Sequence, residues 1–139
     1  MSESSELADR LALRELVDRY AQIPDDRDYA LVDDVFAEDA TLVGPGFELS
    51  GRELIRQGMQ AIEQYSATQH SMHGQVVEIH GDEASGDTWC IANHIHEKDG
   101  QPHKLDWGIR YKDRYRRDAA GWRIAHRELV LVWSQELPL

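Results

Sequence analysis

One cysteine among 139 residues leaves Cys90 without an internal partner, so no disulfide staples this chain. A reducing compartment, the cytoplasm, is the expected setting. Long apolar runs are missing as well. The first leucines, Leu7, Leu11 and Leu13, are interrupted by Asp9, Arg10, Arg14 and Glu15, which does not make a secretory apolar region. Nothing approaches the roughly 18 apolar residues of a membrane span, so no membrane partner is expected. Positive charge is also scarce: 15 Lys and Arg stand against 26 Asp and Glu, a net −11. Such a surface repels a phosphate backbone. The one basic cluster, Arg110, Lys112, Arg114, Arg116 and Arg117, has Asp113 within it and Asp118 directly after it. It reads as the solvated face of a strand and its turn, and no nucleic-acid partner is expected. A Gly-rich phosphate loop, a nucleophile elbow and a CxxC pair are absent too.

What remains is an ordinary globular composition, 41% hydrophobic and 29% charged, long enough to bury a core. No repeat or linker divides it, so residues 1–139 read as one domain with a flexible stretch over 1–5. Leu7, Leu11, Leu13, Leu16, Val17, Tyr20 and Ala21 form an apolar stripe at helical spacing. They predict a helix over 5–22, ended by Pro24. Asp28 is a candidate cap for a short second helix that turns Leu31, Val32, Val35 and Phe36 inward. Thr41–Val43 is a short strand stopped by Gly44-Pro45-Gly46. Ser50 and Glu53 match a capping box for a third helix carrying Leu54, Ile55, Met59, Ile62 and Tyr65.

After residue 68 the period changes from helical to alternating. Strands are expected over 70–80, 87–97, 104–116 and 122–133, with Gly81-Asp82, Asp99-Gly100 and Ala120-Gly121 at the turns. A helical half followed by long antiparallel strands predicts an α+β fold, with helices on one face of a bent sheet.

The segments Asp25-Asp26-Arg27-Asp28-Tyr29, Phe36-Ala37-Glu38-Asp39-Ala40, Thr68-Gln69-His70, Gly81-Asp82-Glu83-Ala84, Tyr111-Lys112-Asp113-Arg114-Tyr115 and Gly121-Trp122-Arg123-Ile124 together resemble the SnoaL-like group of the NTF2-like superfamily. The match runs over roughly residues 5–133. The resemblance implies a cone-shaped α+β barrel, three N-terminal helices packed on a strongly bent, mostly antiparallel sheet around one small-molecule pocket. Two enzyme types of the group, the scytalone dehydratases and the hexachlorocyclohexane dehydrochlorinases, use an Asp–His pair. Its positions fall on Asp25 and His70. The dehydratase type adds a histidine eight residues after a strand glycine, matched by Gly86 and His94. The dehydrochlorinase type adds an arginine on the last strand, matched by Arg127, and a cation on the first helix, here replaced by Tyr20. Two substrate-gripping tyrosines of the dehydratase fall on Pro24 and Gly44, so the dyad and pocket carry over but the substrate does not.

The residues themselves support proton chemistry. Histidine is poised to move protons near neutral pH. A carboxylate on one ring nitrogen fixes the tautomer and frees the other nitrogen as a base. Alternation puts Thr88, Cys90, Ala92, His94 and His96 on one strand face. By the family comparison that face lines the pocket, with small Cys90 and Ala92 leaving room for a ligand and His96 wet at the strand end. His94 is either a pocket group or a satisfied core histidine. On the next strand Leu105, Trp107, Ile109, Tyr111 and Tyr115 should face inward; Trp107 and Tyr111 are candidate substrate contacts, with packing the alternative. Arg123, Ala125, Arg127, Leu129, Leu131 and Trp133 share a face of the last strand. Arg127 is placed to hold an anionic leaving group or carbonyl oxygen, or else to pair with Asp25 or another acid. Tyr20, at the end of its helix, is either core or a helper beside the dyad.

Of the seven histidines, His70 with His73 and His94 with His96 have spacings a metal site uses. A third ligand is missing, because Glu97 points to the opposite face, and no metal is expected. The combined expectation is a cofactor-free lyase or isomerase that takes a proton from a small apolar, cyclic substrate through the Asp25–His70 dyad. The alternative is a non-catalytic binding or subunit module, with a pocket lacking that hydrogen bond or filled by its own side chains. Trp89, Ile91 and Ile95 make the outer sheet face apolar enough to predict a homodimer or homotrimer.

Overall fold

In the computed structural model, which describes residues 2–139, the first apolar stripe becomes helix α1 (Glu3–Asp25). The Ser2 hydroxyl caps its start by accepting from the Ser5 N–H. Residues 3–5 are therefore helical; Met1 lies outside the described residues. Leu13, Leu16, Val17, Tyr20 and Ile23 form the buried stripe, spaced as one face of a helix. Pro24 does not end α1. It sits in the last turn, and the Asp26 N–H still closes onto the Gln22 carbonyl.

A 3-10 turn (Tyr29–Leu31) leads into the four-residue α2 (Val32–Val35). Asp28 makes no side-chain cap there; its carbonyl accepts the Leu31 N–H instead. Strand β1 runs over Phe36–Gly44, so Phe36 begins a strand rather than closing a helix. Strand β2 (Phe47–Ser50) follows the glycine turn and pairs back on β1. The expected capping box does not form. Gly51 is the N-cap of α3 (Arg52–Met59), and the Glu53 carboxylate turns to Arg56 and Gln57. A second 3-10 turn (Gln60–Gln64) carries the chain into the sheet.

Four long strands complete it: β3 (Ala67–His80), β4 (Glu83–Lys98), β5 (Gln101–Asp118) and β6 (Gly121–Pro138). The β4–β5 turn has φ of 55° at Asp99 and 76° at Gly100, the left-handed pair that two-residue hairpins favour. The strand order is β2-β1-β6-β5-β4-β3. Among the described residues only β1–β6 is parallel, and the sheet stays open, with β2 and β3 at its edges. Register shifts in β3, β5 and β6 bend it, and the helices cover the concave face. Arg10 and Arg14 of α1 donate to the carbonyls of Val77, Met72 and His73 on β3. This is the α+β cone the sequence predicts.

The bulge at Ala125 corrects one alternation. Ile124 pairs with Tyr115 and His126 with Arg114, so Trp122 and Ile124 face the core before the bulge and Arg127 after it. Arg123 and Arg127 therefore do not share a face. No helix among the described residues is long and apolar enough to cross a membrane.

Candidate active site

The C-terminal turn of α1 ends beside β3, and there Asp25 meets His70. The carboxylate accepts from His70 Nδ1 at 2.8 Å, from the His70 backbone N–H at 2.7 Å and from the Thr68 hydroxyl at 2.9 Å. Burial pushes the Asp25 carboxyl up, but the hydrogen bonds from His70 and Thr68 outweigh it and hold the group below its ordinary value. An ionised carboxylate only accepts, so Nδ1 carries the imidazole proton and Nε2 keeps a free lone pair. The His70 side chain is almost buried and forms part of a cavity wall. The Asp25–His70 bond is formed, and the cavity beside it is open.

The cavity holds about 310 Å³, within the size range of small-molecule sites. Tyr20 and Pro24 close it from α1, and His94, Trp107 and Tyr111 stand on the sheet side. Phe47 and Leu49 of β2 and Met59, Ile62 and Tyr65 from α3 and its following turn form the opposite wall. Every wall residue is uncharged in type except the two histidines. Among the described residues no group of three or more His, Cys, Asp or Glu could hold a metal ion.

His94 is buried between Tyr65 and Trp107, with ring centroids at 4.7 and 5.0 Å, and its ring lies 6.1 Å from that of His70. Its Nδ1 donates to the Leu105 carbonyl at 2.9 Å, because a carbonyl can only accept. Burial pushes its pKa down, against the opposing pull of that carbonyl. His94 is thus both a satisfied histidine and a wall group with a bare Nε2. Cys90 and Ala92 are buried on the same strand face but lie in the core rather than in the cavity wall. The Cys90 thiol is pushed up to about 12 by burial, which makes it inert packing. His96 is not wet: its side chain is largely buried and its Nε2 lies 2.6 Å from Glu136.

Arg127 departs furthest from expectation. It is fully buried and is not part of the cavity wall. Its partner is Asp113 rather than Asp25, through Nε at 2.7 Å and Nη2 at 2.9 Å. The Tyr115 hydroxyl donates to the same carboxylate at 2.9 Å. Asp113 therefore does not belong to a solvated face. Continued alternation from Leu105 through Tyr111 would have placed it inward. The β2 wall has no counterpart in the sequence reading, although Phe47-Glu48-Leu49-Ser50 alternates as a strand does.

The sequence model of the SnoaL-like domain matches residues 5–128. The chain belongs to the SnoaL-like family. Among solved structures, the Kfla4162 protein of Kribbella flavida is 25% identical, with 94% of this chain and 95% of that chain covered and a TM-score of 0.87. A candidate scytalone dehydratase of Novosphingobium aromaticivorans is 18% identical, covering 96% and 91% with a TM-score of 0.86. The type 3 hexachlorocyclohexane dehydrochlorinase of Novosphingobium barchaimii is 17% identical, covering 99% and 94% with a TM-score of 0.85. At 18% and 17% identity the latter two speak to the fold alone. No curated protein matches the sequence significantly. Within this SnoaL-like chain, His70, His94, Tyr20, Tyr111 and Trp107 line one cavity, and Asp25 holds His70.

Proposed function

We propose that this SnoaL-like protein is a cofactor-free lyase or isomerase that takes a proton from carbon in a small, neutral, largely apolar cyclic molecule. The observation that carries this reading is the Asp25–His70 hydrogen bond at the wall of an uncharged cavity. His70 Nε2 is the base. As it gains the proton, ionised Asp25 stabilises the imidazolium and holds the ring in place. A positioned base of this kind contributes roughly 10²–10⁴-fold. Tyr20 and Tyr111 supply hydroxyl donors toward the oxygen that gains charge. Elimination of water, elimination of halide and double-bond migration share the first proton transfer. The absence of a free cation on the wall favours a substrate and leaving group that do not need an ion pair. The dehydratase and dehydrochlorinase names of similar folds fit the same first step.

The test needs no natural substrate. An apolar cyclic ketone such as 2-tetralone carries acidic C–H groups next to its carbonyl. Its deuterium uptake in D₂O, followed by NMR, should be faster with the protein than in buffer and should fall to the buffer rate with His70→Ala. Equal exchange with wild type and His70→Ala would remove His70 from the role of base.

A further inference from the structure

Asp113 and Arg127 are register partners on β5 and β6, and both side chains are completely withdrawn from solvent. Taking two charges out of water is costly, and an apolar pair of the same volume often stabilises as well or better. Packing alone therefore gives a weak reason for them. The carboxylate side of the pair is fixed from behind, since Gln75 donates to Tyr115 and Tyr115 donates to Asp113. The guanidinium side faces the cavity layer. Its Cζ lies 4.3 Å from the Tyr20 ring centroid and 3.9 Å from that of Tyr111. Its Nη1 is buried with no hydrogen-bond partner among the described residues.

We propose that Arg127 never meets the substrate but works as a positioning residue through Tyr20 and Tyr111, whose hydroxyls form the binding site for a carbonyl or enolate oxygen. This rests on the proposed function and deepens it: the substrate class is a neutral, enolisable carbonyl compound. A cation over a ring face draws on its electron density. The phenol becomes a stronger donor, in a site where water does not screen the effect. Burial outweighs the pull of Arg127 and keeps both phenols above their ordinary pKa, so both remain protonated donors. The other titratable wall groups are His70 on β3, His94 on β4 and Tyr65 after α3; Cys90 lies behind the wall with its thiol protonated.

The probe is 2-naphthol, an apolar bicyclic phenol whose naphtholate has its own ultraviolet absorption and imitates an enolate. Titrated with the full chain, bound naphthol should ionise at least about one pH unit below free naphthol. The shift should vanish in Tyr20→Phe with Tyr111→Phe, shrink in Arg127→Met with Asp113→Asn, and persist in His70→Ala. If the buried double variant fails to fold, the tyrosine variants, which keep the rings and the cation, decide the matter. No binding, no shift in the wild type, or an unchanged shift in the tyrosine or Arg127 variants would overturn the proposal. Loss of the shift in His70→Ala alone would place the ligand oxygen on the dyad, overturning this oxygen site while leaving the proposed proton abstraction standing.

Discussion

At Asp25, three donors converge on one carboxylate, and two of them come from His70 itself. The contact fixes the imidazole by its ring and by its backbone, so β3 cannot slide without breaking the dyad. It also has a consequence for stability. The folded-state pKa of Asp25 is depressed, so its stabilising contribution is complete above the ordinary carboxylate value of about 3.9 and is lost as pH falls through the depressed value. Asp25→Asn should therefore be less stable than wild type at pH 6, by about 1 kcal/mol. The gap should narrow below pH 4. Denaturant melts at the two pH values check it, and a gap that widens in acid would contradict the bonding described. Sequence alone marked Asp25 and His70 by resemblance, but not Thr68, since nothing in its spacing says where its hydroxyl points. Arg127 was legible as a residue of interest and not in its partner, because Asp113 was hidden inside a basic run.

At the level of elements, the long strands and α1 were legible because their periodicity is sustained over many residues. The short ones were not. Helix α2 is four residues long and β2 is another four, too short for a period to establish itself. The capping box failed because Gly51, with φ of 88°, turns the chain where Ser50 would have had to cap. Helix α3 and β2 form the outer cavity wall, and their contact is set by Gly58. A Cβ there would lie 2.4 Å from the Leu49 side chain. Leu49 is flexible at its end and stands in the wall, so Gly58→Ala should fold and push Leu49 toward the cavity. Naphthol affinity should fall more than that of plain phenol. Equal losses for both would show that the wall moved outward instead. Gly86 has no such freedom, because a Cβ would meet the Val76 carbonyl at 2.1 Å. Gly86→Ala should cost about 1–3 kcal/mol in a thermal or denaturant melt; a neutral effect would mean that β3 and β4 separate easily.

For the whole molecule, the convex sheet face carries exposed apolar side chains. Trp89, Ile91 and Ile95 are half-buried there, Arg110 covers Trp89 at 4.2 Å, and Val76, Val132 and Trp133 are exposed. We propose that this face joins two or three copies of the chain. Light scattering at micromolar concentration should give a multiple of the 15.9 kDa chain mass, and Val132→Glu should shift it toward one chain. A single-chain mass for the wild type would contradict the assembly. The cavity walls described above all come from one chain.

The dyad is tested most directly by a double-mutant cycle on deuterium exchange into 2-tetralone, with wild type, Asp25→Asn, His70→Ala and the double variant compared in one buffer. If Asp25 acts only through His70, Asp25→Asn slows exchange, His70→Ala abolishes the protein's contribution, and the double variant is no slower than His70→Ala. Exchange that survives His70→Ala, or losses that simply multiply in the double variant, would contradict a base at His70 held by Asp25.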